Sequence, residues 1–279
     1  MLGKLIRHEW KETCKMGCLM LFVVVLITLF GWLAFQTPMW KSFSNGGSSF
    51  GWLDIFSVLT LIMYVMMLAG INYGITIYLG VRFYQTMYTD QGYLTHTLPV
   101  TKHQLLASKI LVSGLWIFFL MLSVYLSVFI LGASMLSLFL PQGYSLASMW
   151  RELGLNFGEL LELMGEEMDF NIIRWLVTLL FTTILSPFTT VTILFGAISM
   201  GQLFRKHRVL AAILSYIGIM VTVNVISSIF RSIVVMSRIT SAGSYLNNTL
   251  DSTLIINLLL ATGLYFVSWH VTSNRLNMQ

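Results

Sequence analysis

ILVSGLWIFFLMLSVYLSVFILGASMLSLFL, Ile110 to Leu140, runs for 31 residues without one Asp, Glu, Lys or Arg. At about 1.5 Å of helical rise per residue, roughly 20 residues cross the hydrocarbon core of a bilayer. The stretch is longer than one crossing needs, so it tilts or extends into the interface. Five further apolar stretches flank it: Leu19–Phe35, Ile55–Leu79, Ile172–Met200, Val209–Phe230 and Leu254–His270. The whole chain of 279 residues is 57% hydrophobic and only 10% charged, with mean hydropathy +0.81. Soluble domains carry about 25% charged residues, enough to cover a water-facing surface. The expected fold is therefore an all-α integral membrane protein with six transmembrane helices in a single domain, 1–279. The spans leave no room for a second globular domain.

Charge sets the expected orientation. Lys4, Arg7, Lys11, Lys15, Arg82, Lys102, Lys109, Arg205, Lys206, Arg208 and Arg275 fall on one side, and Lys41, Arg151, Arg174, Arg231 and Arg238 on the other. Eleven of the sixteen basic residues thus predict cytoplasmic termini. Eight of the eleven acidic residues fall on the opposite side. The net charge of +5 fits this asymmetry and does not require nucleic acid as a partner. Eighteen residues precede the first span and no small-x-small cleavage site follows it, which reads as an uncleaved anchor.

MLGKLIRHEWKETCKM, the first sixteen residues, places Leu2, Leu5, Ile6 and Trp10 at near-helical spacing, with Lys4, Arg7, Lys11 and Lys15 on the other flank. Residues 1–18 are expected to form an interfacial amphipathic helix, its apolar face in lipid and its basic face toward headgroups. It serves either as a plain anchor or as a docking surface for a cytoplasmic partner, with Arg7, Glu9, Trp10 and Lys11 as the contact residues. Cys14 and Cys18 share one helical face at the membrane edge. That spacing suits acylation or a soft metal, or simply two small apolar residues near a headgroup layer.

The second-to-third connection, residues 82–109, reads RFYQTMYTDQGYLTHTLPVTKHQLLASK. It is polar and lacks a span pattern. Asp90-Gln91-Gly92 reads as a turn, Pro99 ends an element, and Thr101 caps the helix that continues into the third span. A short helix is expected before Gly92. Tyr84, Tyr88, Tyr93 and Leu94 are large side chains in a loop expected to face water, where they would be costly without a partner.

This wording, Phe83-Tyr84, Asp90-Gln91-Gly92-Tyr93-Leu94, Thr97-Leu98-Pro99-Val100, then Ser108-Lys109, resembles the loop of type-2 ATP-binding-cassette exporter permeases from Gram-positive bacteria. Their usual form is close to F-Y-…-D-E-G-Y-L-…-T-L-P-V-S-…-S-K. Gln91 stands where that family commonly has an acidic residue, so no salt bridge is assigned there. Arg7–Lys11 resembles the family's N-terminal helix, and the six-span layout agrees along the whole chain. The resemblance implies a coupling helix seated in a groove of a separate ATP-binding-cassette ATPase. Residues from about Arg82 to Val100 would then transmit ATP-driven motion, with Tyr84, Tyr88, Asp90, Gly92, Tyr93, Leu94 and Pro99 at the contact. Arg205 and Lys206 would add a smaller contact. It also implies a second permease chain, identical or related, in a bacterial plasma membrane. ATP and magnesium would sit on the ATPase, not on this chain.

No G-x-x-x-x-G-K-[ST] loop, H-E-x-x-H or C-x-x-C occurs, so no catalytic residue is assigned. The five histidines have no metal spacing, so no metal site is assigned to them either. The spans hold essentially no ionisable side chain, whereas ion-coupled carriers place such groups at membrane depth. Neutral polar residues remain as candidates for lining a pathway: Asn72, Thr183, Ser186, Thr190, Asn224 and Asn257. Pro187 is expected to kink the fourth span, and Gly70 with Gly74 reads as a close-approach face. On the far side, Glu159, Glu162 and Glu166 share one helical face, either to bind a cation or a basic substrate or simply as a solvated surface. Two readings follow. One is the permease subunit of an exporter for an amphipathic drug, peptide or lipid-like substrate, working by alternating access. The other is an autonomous secondary carrier, or an immunity protein against an antimicrobial peptide.

Overall fold

The computed structural model describes residues 2–36, 52–89, 92, 100–139, 145, 147–152, 154–156, 158–159, 171–204, 207–238 and 242–274. Six long helices dominate them: α1 (Leu2–Phe35), α2 (Trp52–Tyr88), α3 (Lys102–Phe139), α4 (Ile172–Gly201), α5 (Arg208–Arg238) and α6 (Ala242–Asn274). All six are long and apolar enough to cross a membrane. Each of the six apolar stretches read from the sequence lies on its own helix, apart from Leu140, which is outside the described residues.

The helices exceed those stretches. The 37 residues of α2 reach about 55 Å, against a hydrocarbon core of about 30 Å. The helix expected before Gly92 is the end of α2, continuous with the second span rather than separate from it, and α3 opens at Lys102, directly after Thr101, as expected. Apolar packing explains the extension: Phe83, Met87, Leu105 and Leu106 are buried. Likewise the amphipathic N-terminus and the first apolar stretch form one unbroken 34-residue helix rather than two. Nothing in the run from Trp10 to Leu19 breaks a helix except Gly17, and a single glycine costs only about 1 kcal/mol.

The chain divides into two compact units. One gathers residues 1–12, Thr76–Trp116 and Glu159–Gln279. Within it α4 packs against both α5 and α6. Phe83 stacks on Phe195 with centroids 3.8 Å apart, and Leu194 fills the space over Gly80. At Gly201 an added Cβ would stand 2.6 Å from the backbone nitrogen of Ala212, so α4 and α5 meet backbone to backbone at their shared turn. His207 closes that turn at φ 58, a left-handed conformation, and its carbonyl accepts from Ala211 N–H at 2.9 Å.

The other unit gathers Thr13–Ile75 and Ile117–Gly158. Its apolar interior holds three hydroxyls: Ser127 Oγ lies 2.6 Å from Thr28 Oγ1 and 2.7 Å from Tyr64 Oη. Such bonds matter in lipid because apolar contact alone gives helices no preference for one another over the acyl chains. The close approach in this unit is at Gly31, where a Cβ would meet Leu131 at 2.9 Å. Gly70 has nothing within 4 Å and Gly74 meets only the Met20 side chain at 3.7 Å, which corrects the expected close-approach face. The pattern was present, but the helix turns it outward. Large apolar side chains such as Phe22, Phe30, Ile62, Val65, Ile213 and Ile217 are exposed, as a lipid-facing surface requires.

Candidate functional site

The ends of the α2–α3 connection are fastened to the helices of their own unit. Tyr88, the last residue of α2, reaches Ser199 Oγ of α4 at 2.8 Å and Thr272 Oγ1 of α6 at 3.4 Å. Its ring meets Phe83 edge-on at 5.9 Å. The first residue of α3, Lys102, donates from Nζ to the carbonyls of Thr272 and Ser273, at 3.3 and 3.0 Å. These are terminal carbonyls of α6, the negative end of its dipole, where a cation is favoured. His103 stacks on Trp269 at 4.6 Å, and its Nδ1 lies 3.1 Å from Tyr265 Oη. Gly92 folds back over α2: its N–H donates to the Thr89 carbonyl at 2.7 Å, and a Cβ there would stand 2.6 Å from the Met87 carbonyl oxygen. Only glycine fits that return.

These contacts change one expectation. Tyr88 was expected to face water; instead it sits on a helix and is engaged by α4 and α6. Tyr84 is half-buried, with its ring 6.4 Å from that of Tyr88. Asp90, Tyr93, Leu94, Pro99, Arg205 and Lys206 lie outside the described residues.

The N-terminal segment forms a second polar cluster. Lys109 Nζ donates to Glu9 Oε1 and, at 2.9 Å, to Thr86 Oγ1. Arg82 Nη2 pairs with Glu12 and stands 3.5 Å from Glu9 Oε2. Lys109 is only 4% exposed, and Arg82 Nε is buried without a partner. Beside this cluster Trp10 stacks on Trp116 at 4.7 Å. Of the four residues expected at a docking surface, Arg7 and Lys11 are exposed, whereas Glu9 and Trp10 turn onto α2 and α3. The stripe containing Trp10 was read as lipid-facing; Trp10 packs on protein. An apolar stripe reports that a face is buried, not what buries it.

The six candidate pathway residues are divided between the two units. Asn72 belongs to the unit of Thr13–Ile75 and is exposed. Asn224 is exposed too, and its amide donates to the Met220 carbonyl of its own helix at 2.8 Å. Thr183, Ser186, Thr190 and Asn257 are half-buried in the other unit. Thr190 donates to the Ser186 carbonyl at 3.0 Å, and Thr189, next to it, lies 3.4 Å from the Asn257 carbonyl. Around Pro187, Thr189 and Thr192 likewise bond carbonyls of their own helix. Glu159 is exposed; Glu162 and Glu166 lie outside the described residues. Among the described residues no group of three or more His, Cys, Asp or Glu side chains is assembled.

Sequence reasoning passed over Ser199, Tyr265, Trp269 and Thr272, which receive the ends of the connection. A signal existed in Trp269 and Thr272, three residues apart on α6 and so on one face. Nothing in the sequence tied that face to Tyr88 or Lys102. Comparison with protein-family models, with curated proteins and with solved structures finds no match.

Proposed function

We propose that this chain is the membrane-spanning permease subunit of an ATP-binding-cassette exporter, moving an amphipathic drug, peptide or lipid-like substrate under the control of a separate ATPase. The observation that carries the proposal is the connection between α2 and α3. Its sequence, from Asp90-Gln91-Gly92-Tyr93-Leu94 to Thr97-Leu98-Pro99-Val100, resembles the ATPase-contacting loop of type-2 exporters. Both of its ends are fastened to α6, and Tyr88 reaches α4 as well. A push on the connection would thus reach α4 and α6 through Tyr88 and Lys102. The lack of ionisable residues deep in the spans also fits an energy source outside the chain.

The test is recovery of an ATPase with the tagged chain, and its response to substrate. Tyr88 is a poor probe, because its replacement disturbs the contacts of α2 with α4 and α6. The variant of choice is Tyr93→Ala with Leu94→Ala. Buried anchors of this size contribute about 2 kcal/mol or more each at an interface. The double variant is expected to lose the ATPase while keeping wild-type helix content. Transport by the purified chain in vesicles without any ATPase or ATP would overturn the proposal in favour of an autonomous carrier.

A further inference from the structure

We propose that Cys14 and Cys18 form a two-coordinate site for a soft monovalent metal ion of the Cu(I) class. Both residues lie on the uninterrupted helix α1, one turn apart. Their sulfurs stand 3.6 Å from each other, with Cys14 half-buried and Cys18 exposed, and neither is in a disulfide. The helix fixes both Cα positions, while a small rotation about each Cα–Cβ bond adjusts the sulfur separation. Thiolate is the ligand that selects Cu(I) over harder ions. A linear bis-thiolate ion needs nothing more, whereas zinc takes four ligands, and among the described residues no third His, Cys, Asp or Glu side chain joins the pair.

Charge narrows the choice further. Binding replaces two S–H bonds by two S–Cu bonds and releases two protons. Copper stays at +1 and no oxidant is required. The resulting complex carries one negative charge. Lys15, exposed and three residues before Cys18, lies on the neighbouring ridge of the helix and offsets it. A divalent soft ion such as Hg(II) would give a neutral bis-thiolate that gains little from Lys15.

The experiment uses the full chain, purified and reduced, in detergent micelles without oxygen. Cu(I) is titrated in competition with bicinchoninate, and the bound form is examined by X-ray absorption. One ion per chain is expected, with two sulfurs as its ligands. Cys14→Ser and Cys18→Ser should each abolish this binding while the circular dichroism stays that of wild type. Lys15→Gln should weaken Cu(I) about tenfold, the range for residues that support a metal ligand, and leave Hg(II) nearly unchanged. Retention of wild-type affinity by either serine variant overturns the proposal. So does one ion per two chains, which would mean a bridge between copies. A site with nitrogen or oxygen ligands overturns it as well.

Discussion

Lys109 is a cation held almost wholly out of water, and its environment decides what its removal costs. Its ammonium is matched by Glu9 and by the Thr86 hydroxyl. Breaking a buried pair by deleting one partner costs about 3–5 kcal/mol, because the other charge is stranded. Arg82 stands 3.5 Å from the same carboxylate, which places Lys109→Met near the lower end of that range. Thermal unfolding in micelles should show this loss, and the double variant Glu9→Gln, Lys109→Met should recover most of it. If the double variant is no more stable than the single one, the pair is not what holds α1 to α3. None of this pairing was legible in the sequence. Lys109 and Arg82 counted there as orientation charges, and Glu9 as a docking residue. Periodicity relates neighbours within a turn or two, whereas Glu9 and Lys109 are 100 positions apart. Gly92 was legible as a turn because its reason is local.

At the scale of elements, helix existence was read well and helix purpose less so. Long uncharged runs admit no other structure in lipid, so all six helices were readable from composition and length. The start of α3 after Thr101 was readable too, but the continuity of α2 from the second span to Tyr88 was not. The last turns of α2 bury Met87 and set Phe83 against Phe195 of α4, a tertiary gain invisible to a local pattern. Glycines show the same limit. Gly70 and Gly74 carried the familiar spacing, yet the tight contact falls at Gly201, which belongs to no such motif. Gly201→Val should force α4 and α5 apart, because the obstacle is backbone rather than a side chain able to swing away. Overpacking of this kind costs about 1–3 kcal/mol. A cysteine pair placed across the two helices should cross-link less readily in that variant, and unchanged cross-linking would show the contact to be looser than described.

For the whole molecule, the division of basic residues, eleven against five, carries the orientation. The Lys/Arg-rich side is expected to face the cytoplasm, together with both termini and the α2–α3 connection. With Cys14 and Cys18 replaced and a single cysteine introduced at Gln91, an impermeant thiol reagent should label only opened cells. Labelling from outside intact cells would invert the topology and, with it, remove the α2–α3 connection from reach of any cytoplasmic ATPase.

The pairs made by Glu9 and Glu12 also impose an order of events on the ribosome. Arg82 is made 70 residues after Glu12, and Lys109 is made 100 residues after Glu9. At about 5–20 residues per second, the first helix therefore waits roughly 5–20 s for its last partner. Through that interval Glu9 and Trp10 have no α3 to rest on. The alternation of apolar and basic residues over positions 2–16 is expected to hold the nascent segment at the bilayer surface until α2 and α3 are made. On that expectation Trp10 rests at the lipid surface during synthesis and on Trp116 afterwards.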